Sequence, residues 1–326
     1  MGDYKFVDHS QVPDRLLQTC RLSVAAFREF DAAPSFDEAY TEWFLRRPGS
    51  SAERCVAALD GQQMVSMAMV TMQPVQIGGE VLRCGIIDTV ATHPQHRRRG
   101  LARELMAMAH EILQAEGADA ALLYTNPQDH PYLFYQRLGY ETRANCQILK
   151  GKRPAAGGTL AVRRARQGEH GAIAEMLNDY YAGYEGYAPL DDALWAWRKT
   201  ERALGSEVDI LVAEAEGEIA ATCTSHLTPL LQAQPSMVAT ISDFAAREEL
   251  CDTLDAARSM LAAAPQADLA CGWDAIDPLC DLFQRVGSVR ETNQVSMVLP
   301  LSERAREAVK SRRGPWYPMV ESICGV

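Results

Sequence analysis

The sequence lacks any run of 18 or more apolar residues, the length a helix needs to cross a bilayer, so a soluble protein is expected. It also lacks a CxxC pair, and its nine cysteines are an odd set, which argues against a disulfide framework. The opening residues Met1 to Phe6 hold neither the basic nor the apolar block of a signal peptide, and reduced thiols in a cytoplasmic setting are expected. A myristoyl anchor is rejected as well, because Phe6 stands where the acceptor pattern after Met-Gly needs Ser or Thr. Basic excess is missing: the net charge is -11, which weighs against nucleic acid as a partner and suits a cationic substrate. No membrane partner is expected.

What is present is the composition of an ordinary globular protein, 47% hydrophobic and 23% charged. At 326 residues the chain is long enough for two domains of roughly 100 to 200 residues each. Apolar positions at helical spacing predict helices over Val12 to Phe27 and Phe36 to Arg46. Two β-rich runs then flank Asp60-Gly61, and a third spans Val81 to Thr92. In the next helix Leu101, Leu105, Met108 and Ile112 fall at i, i+4, i+7 and i+11, one stripe for the face of a sheet. A strand at Ala120 to Thr125, a helix at Tyr132 to Leu138 and a strand at Thr142 to Leu149 complete a mixed α/β unit.

Lys150 to Gly158 has linker chemistry, and beyond it the order of elements recurs at a period near 150 residues. The reading is two tandem domains at 1–152 and 159–300 with a C-terminal tail at 301–326. Each is expected to be a mostly antiparallel sheet flanked by helices. In the second unit a helix is expected over Arg247 to Ala262 and another over Pro278 to Val286.

The chemistry concentrates at Asp88 to Ala102, where a strand ends in a Pro turn, a basic Gly-containing turn follows, and a helix begins. Unpaired N–H groups at a helix start, at the positive end of its dipole, make an anion site. Arg97-Arg98-Arg99-Gly100-Leu101-Ala102 resembles the (Q/R)xxGx(G/A) signature of the GNAT superfamily, which binds the pyrophosphate of acyl-CoA. Leu133 to Tyr140 is similar to that family's closing motif, an aromatic helix followed by Leu-Gly-aromatic.

The resemblance implies that Tyr135 gives a proton to the departing CoA thiolate. It implies that Val90, Ala91 and Thr92 offer backbone groups to the pantetheine arm, and that Asn126 adds a polar contact. Asp88 is a candidate general base, with His93, His130 and Glu29 as alternatives. Glu29, Phe30 and Asp31 are candidates to line the acceptor site. His93 and His96 have no third ligand nearby, so no metal is expected.

The likeness is strongest to the tandem, Eis-like branch. The second half offers Ser242 to Cys251 in place of the turn, with no Gly and three carboxylates, and Phe283 in place of Tyr135. The family would make this chain an N-acyltransferase moving an acetyl group from acetyl-CoA to a primary amine of a small molecule or peptide. A CoA-binding sensor without transferase activity, or an acyl-CoA enzyme of altered chemistry such as a decarboxylase, are the alternatives.

Overall fold

The computed structural model describes residues 3–27, 37–151, 157–203, 207–230, 236–264, 269–273, 289–311, 314–317 and 319. The first half runs β1 (Tyr4–Asp8), α1 (Arg15–Phe27), α2 (Glu38–Leu45), β2 (Val56–Asp60), β3 (Gln63–Ile77), β4 (Glu80–Thr92), α3 (Leu101–Ala115), β5 (Ala120–Thr125), α4 (His130–Arg137) and β6 (Glu141–Gly151). The second continues with β7 (Ala161–Arg164), α5 (His170–Tyr180), α6 (Asp192–Trp195), β8 (Asp209–Ala215), β9 (Glu218–Leu230) and β10 (Ser236–Ala246). It closes with α7 (Thr253–Ala263), β11 (Leu269–Trp273), β12 (Val289–Pro300) and α8 (Glu303–Lys310). The fold is mixed α/β with a large, mostly antiparallel sheet and flanking helices. No described helix is long and apolar enough to cross a membrane.

The twelve strands of the described residues form one sheet in the order β1-β2-β3-β4-β5-β12-β6-β11-β10-β9-β8-β7. The last strand of each half has therefore crossed over. β12 pairs antiparallel with β5 of the first half, β6 pairs antiparallel with β11 of the second, and the two exchanged strands pair with each other at the centre. The sheet does not divide at the linker.

A second reciprocal contact lies between the halves. Trp43, on α2, and Trp197, in the π-helical turn that continues α6, stack with ring centroids 4.5 Å apart and 6° between planes. Each indole N–H donates to the other tryptophan's carbonyl, at 2.9 and 2.8 Å. Arg202 lies over Trp43 at 4.6 Å and Arg47 over Trp197 at 5.3 Å, so the cation–π contacts are exchanged too.

The elements differ from the sequence reading mainly at their ends. The helix expected from Arg247 begins at Thr253, because the Asp252 carboxylate caps it by accepting from the Asp255 N–H at 2.7 Å. α6 ends as an α-helix at Trp195, and the chain continues as a π-helical turn over Ala196–Thr200. The expected helix at Pro278 to Val286 lies outside the described residues. Within the stretch read only as a tail, Glu303–Lys310 is helical, and Trp316, Tyr317 and Met319 are buried.

His9, between β1 and α1, is almost wholly buried, and burial together with the nearby Arg15 charge holds its imidazole down from 6.5 to about 4. Because the unfolded chain takes up this proton first, the stability that His9 contributes is present above pH 6.5. It is lost as the pH falls towards 4, by roughly 3 kcal/mol for a shift of this size. Urea unfolding at a series of pH values is expected to show this extra acid slope in the parent protein and not in His9→Phe.

Candidate active site

The site is an opening in the sheet. β4 and β5 pair in parallel through only three rungs, Cys84 with Ala120, Gly85 with Ala121 and Ile86 with Leu122. Beyond them β5 keeps only its pairing with β12, and β4 only its pairing with β3. The separation has a local cause: the β3 pairing skips from Asp88 to Ala91, and Thr89 within that bulge has φ 49°, a costly conformation for a β-branched residue. Ser66 holds the far side of the bulge, its hydroxyl donating to the Ala91 carbonyl at 2.9 Å and bonding Thr92 Oγ1 at 2.8 Å. Val90 to Thr92 thus form the part of β4 that β5 leaves.

At the wide end of this opening stands the basic turn. Arg98 (φ 61°) and Gly100 (φ 84°) both take the left-handed conformation, which bends the chain so that α3 starts abruptly at Leu101. Gly100 tolerates that geometry without strain, and it brings no side chain to cap the helix. The first N–H groups of α3 are therefore left for an external acceptor. The Leu101 side chain is buried in the core and anchors the helix start.

Two of the three arginines brace the turn. Arg97 donates to the Thr92 carbonyl at 3.4 Å and to the Ala26 carbonyl at the end of α1 at 3.2 Å. Arg99 donates to the Tyr4 hydroxyl at 2.6 Å and to the Gln95 carbonyl at 3.2 Å. Tyr4 in turn bonds His96 Nδ1 at 3.0 Å.

Tyr135, on α4, has a buried ring packed against Phe134 and Tyr140. Burial, and then the Asp88 charge, push its phenol well above the ordinary value. Asp88 is itself buried, and one of its oxygens takes a 2.8 Å ion pair from Arg47, which follows α2 and has a fully buried side chain.

Asn126 spends its side-chain oxygen on the Gln128 N–H at 2.9 Å, shaping the turn into α4. His93 lines a cavity of about 500 Å³ between α1 and the β2–β3 hairpin, apart from the Asp88 and Tyr135 pair. Glu29, Phe30 and Asp31 lie outside the described residues. Among the described residues no three His, Cys, Asp or Glu side chains gather as a metal site.

Residues 12–143 match the family model for the acetyltransferase (GNAT) domain. That part of the chain is thus similar to a GNAT acetyltransferase domain. No curated protein matches its sequence. In fold the chain is similar to a GCN5-related N-acetyltransferase from Anabaena variabilis, at TM-score 0.68 and 14% identity over 92% of this chain and 73% of that one. It is also similar to the N-myristoyltransferase of Saccharomyces cerevisiae with bound myristoyl-CoA, at TM-score 0.71 and 11% identity over 92% and 83%.

The second half of the chain repeats the geometry and closes it. β10 and β11 also pair in parallel through three rungs, and β10 carries its own bulge with Asp243 at φ 52°. There, however, the Phe244 carbonyl is taken by the Tyr181 hydroxyl at 2.6 Å. The Asp243 carboxylate is bound by Lys199 and by the Tyr317 hydroxyl. Burial works to raise the Asp243 pKa, but Lys199 and the nearby Arg198 charge outweigh it and hold the carboxyl down at about 2. The helix that follows is capped by its own Asp252, where α3 has no side-chain cap.

Arg47, Tyr4 and the C-terminal segment were not singled out by the sequence.

Proposed function

We propose that the first half binds acetyl-CoA and transfers its acetyl group to a primary amine of a small molecule or peptide in the cytoplasm. The observation that carries this reading is the contrast between the two helix starts. α3 opens with bare N–H groups behind an arginine turn, whereas α7 is closed by a carboxylate. In the absence of a cap, the diphosphate of CoA supplies the acceptors that those groups need. The pantetheine arm then runs into the opening along Val90, Ala91 and Thr92, with the thioester near Asp88 and Tyr135. The closed second half serves as a support, which is the arrangement of the tandem, Eis-like branch.

In the reaction the amine nitrogen attacks the thioester carbon, the C–S bond breaks, and the amine loses a proton as the thiolate departs. Tyr135 holds its proton throughout the physiological range, so it meets the thiolate as a hydrogen-bond donor and passes the proton on as charge builds. Asp88, paired with Arg47, is the general base that takes the amine proton, directly or through water.

The test is a screen of amines by thiol release at fixed acetyl-CoA. Acceptor-dependent release by the parent protein is expected, and slow hydrolysis with no acceptor effect across polyamines, amino acids and peptides would refute transfer.

A further inference from the structure

The opening between β4 and β5 has a narrow end, and that end is walled. Its last rung joins Ile86 to Leu122, and both side chains lie in the central core. Residues two further along a strand face the same way, so Asp88 and Tyr124 flank the narrow end on that face.

The C-terminal segment crosses over them. The Met319 N–H donates to the Tyr124 hydroxyl at 3.2 Å, and its sulfur lies 3.9 Å from Arg47 Nη2, while Nη1 of the same guanidinium holds Asp88. Met319 therefore spans from the β4 side to the β5 side, with no solvent exposure. The segment that delivers it is fixed: the Trp316 indole donates to the Tyr124 hydroxyl at 3.1 Å. Glu185 accepts the Tyr317 N–H at 2.7 Å and donates its own N–H to the Pro315 carbonyl at 2.8 Å. Arg143 binds the Glu185 carboxylate at 2.5 Å.

We propose that Met319, backed by Arg47 and Tyr124, is the end wall of the acyl site and restricts transfer to short acyl chains. The inference rests on the reading that the pantetheine arm enters from the turn at Arg97, which brings the acyl group to this end. An acetyl group stops short of the wall. A longer chain has to displace a buried methionine that is packed into the core and press alkyl carbons against the Arg47–Asp88 ion pair.

The experiment measures kcat/KM for acetyl-, butyryl-, hexanoyl- and octanoyl-CoA with one acceptor, alongside calorimetric binding of CoA carrying no acyl group. In the parent protein kcat/KM is expected to fall by roughly 100-fold or more from acetyl to octanoyl, the scale on which a misfitting pocket discriminates. Met319→Ala opens the space of three heavy atoms and is expected to raise the hexanoyl-to-acetyl ratio by roughly 10-fold, with CoA affinity unchanged. Met319→Leu, close in volume, is expected to keep the parent profile.

Equal use of octanoyl- and acetyl-CoA by the parent protein overturns the wall without any variant. So does an unchanged profile in a Met319→Ala protein that still binds CoA. Failure of the parent to bind CoA overturns instead the underlying reading of the turn.

Discussion

Replacing Tyr135 by Phe is expected to lower kcat for acyl transfer by about 10²- to 10⁴-fold, the range that a positioned proton donor supplies. The change deletes one oxygen from a ring already buried against Phe134 and Tyr140, so the fold and the acyl-CoA affinity should stay close to those of the parent. A fall in kcat with an unchanged KM for acyl-CoA marks an interaction made only as the thiolate forms. Because burial and Asp88 push the phenol upward, its ionisation should put no alkaline limb on the rate below pH ~10. If kcat of Tyr135→Phe stays within a factor of two or so of the parent, the proton-donor role is lost.

The largest structural effect is expected from Trp43→Ala, at about 3 to 5 kcal/mol of stability. Trp43 is almost fully buried, it stacks flat on Trp197, and the two exchange hydrogen bonds to each other's carbonyls. Truncating either ring removes the indole donor to the partner's carbonyl, a further cost of about 1 to 3 kcal/mol where water does not reach that carbonyl, while the partner's own indole N–H keeps its backbone acceptor. Trp197→Ala should cost a similar amount, since the contact is reciprocal. The double variant should be less destabilised than the sum of the two by roughly 0.5 to 3 kcal/mol, because the second truncation removes an interaction already gone. Urea midpoints of the four proteins give this coupling, and strict additivity would mean that the stack is not shared between the halves.

Much of the first half was legible because its signals are local. The stripe Leu101, Leu105, Met108 and Ile112 has the period of a helix on a sheet, and three of the basic turn's features, Pro94, the arginines and Gly100, are adjacent in sequence. The central strand at Thr142 to Leu149 was readable as a strand. Its exchange with the last strand of the second half was not, because alternation sets the faces of a strand and says nothing of its neighbour.

Arg47 was missed for a related reason. An arginine at a helix end reads as solvated unless its partner is known, and Asp88 comes to it only through the sheet. Trp316 and Tyr317 sit between Pro315 and Pro318, and Met319 follows, in a stretch without period, so nothing local marked them as interior. Where the sequence placed a helix at Arg247, the cap at Asp252 decided the start, and that signal was available in the sequence.

The central claim is that the uncapped start of α3 and its arginine turn hold the CoA diphosphate, and isothermal titration of acetyl-CoA tests it most directly. The parent protein is expected to bind at one site, more weakly as salt rises. Arg97→Ala/Arg99→Ala, which removes two cations and the braces to Ala26 and Tyr4, should lose roughly 100-fold in affinity or more, at about 1.5 kcal/mol or above for each charged contact. Absence of binding to the parent, or equal binding by the double variant, would contradict the account.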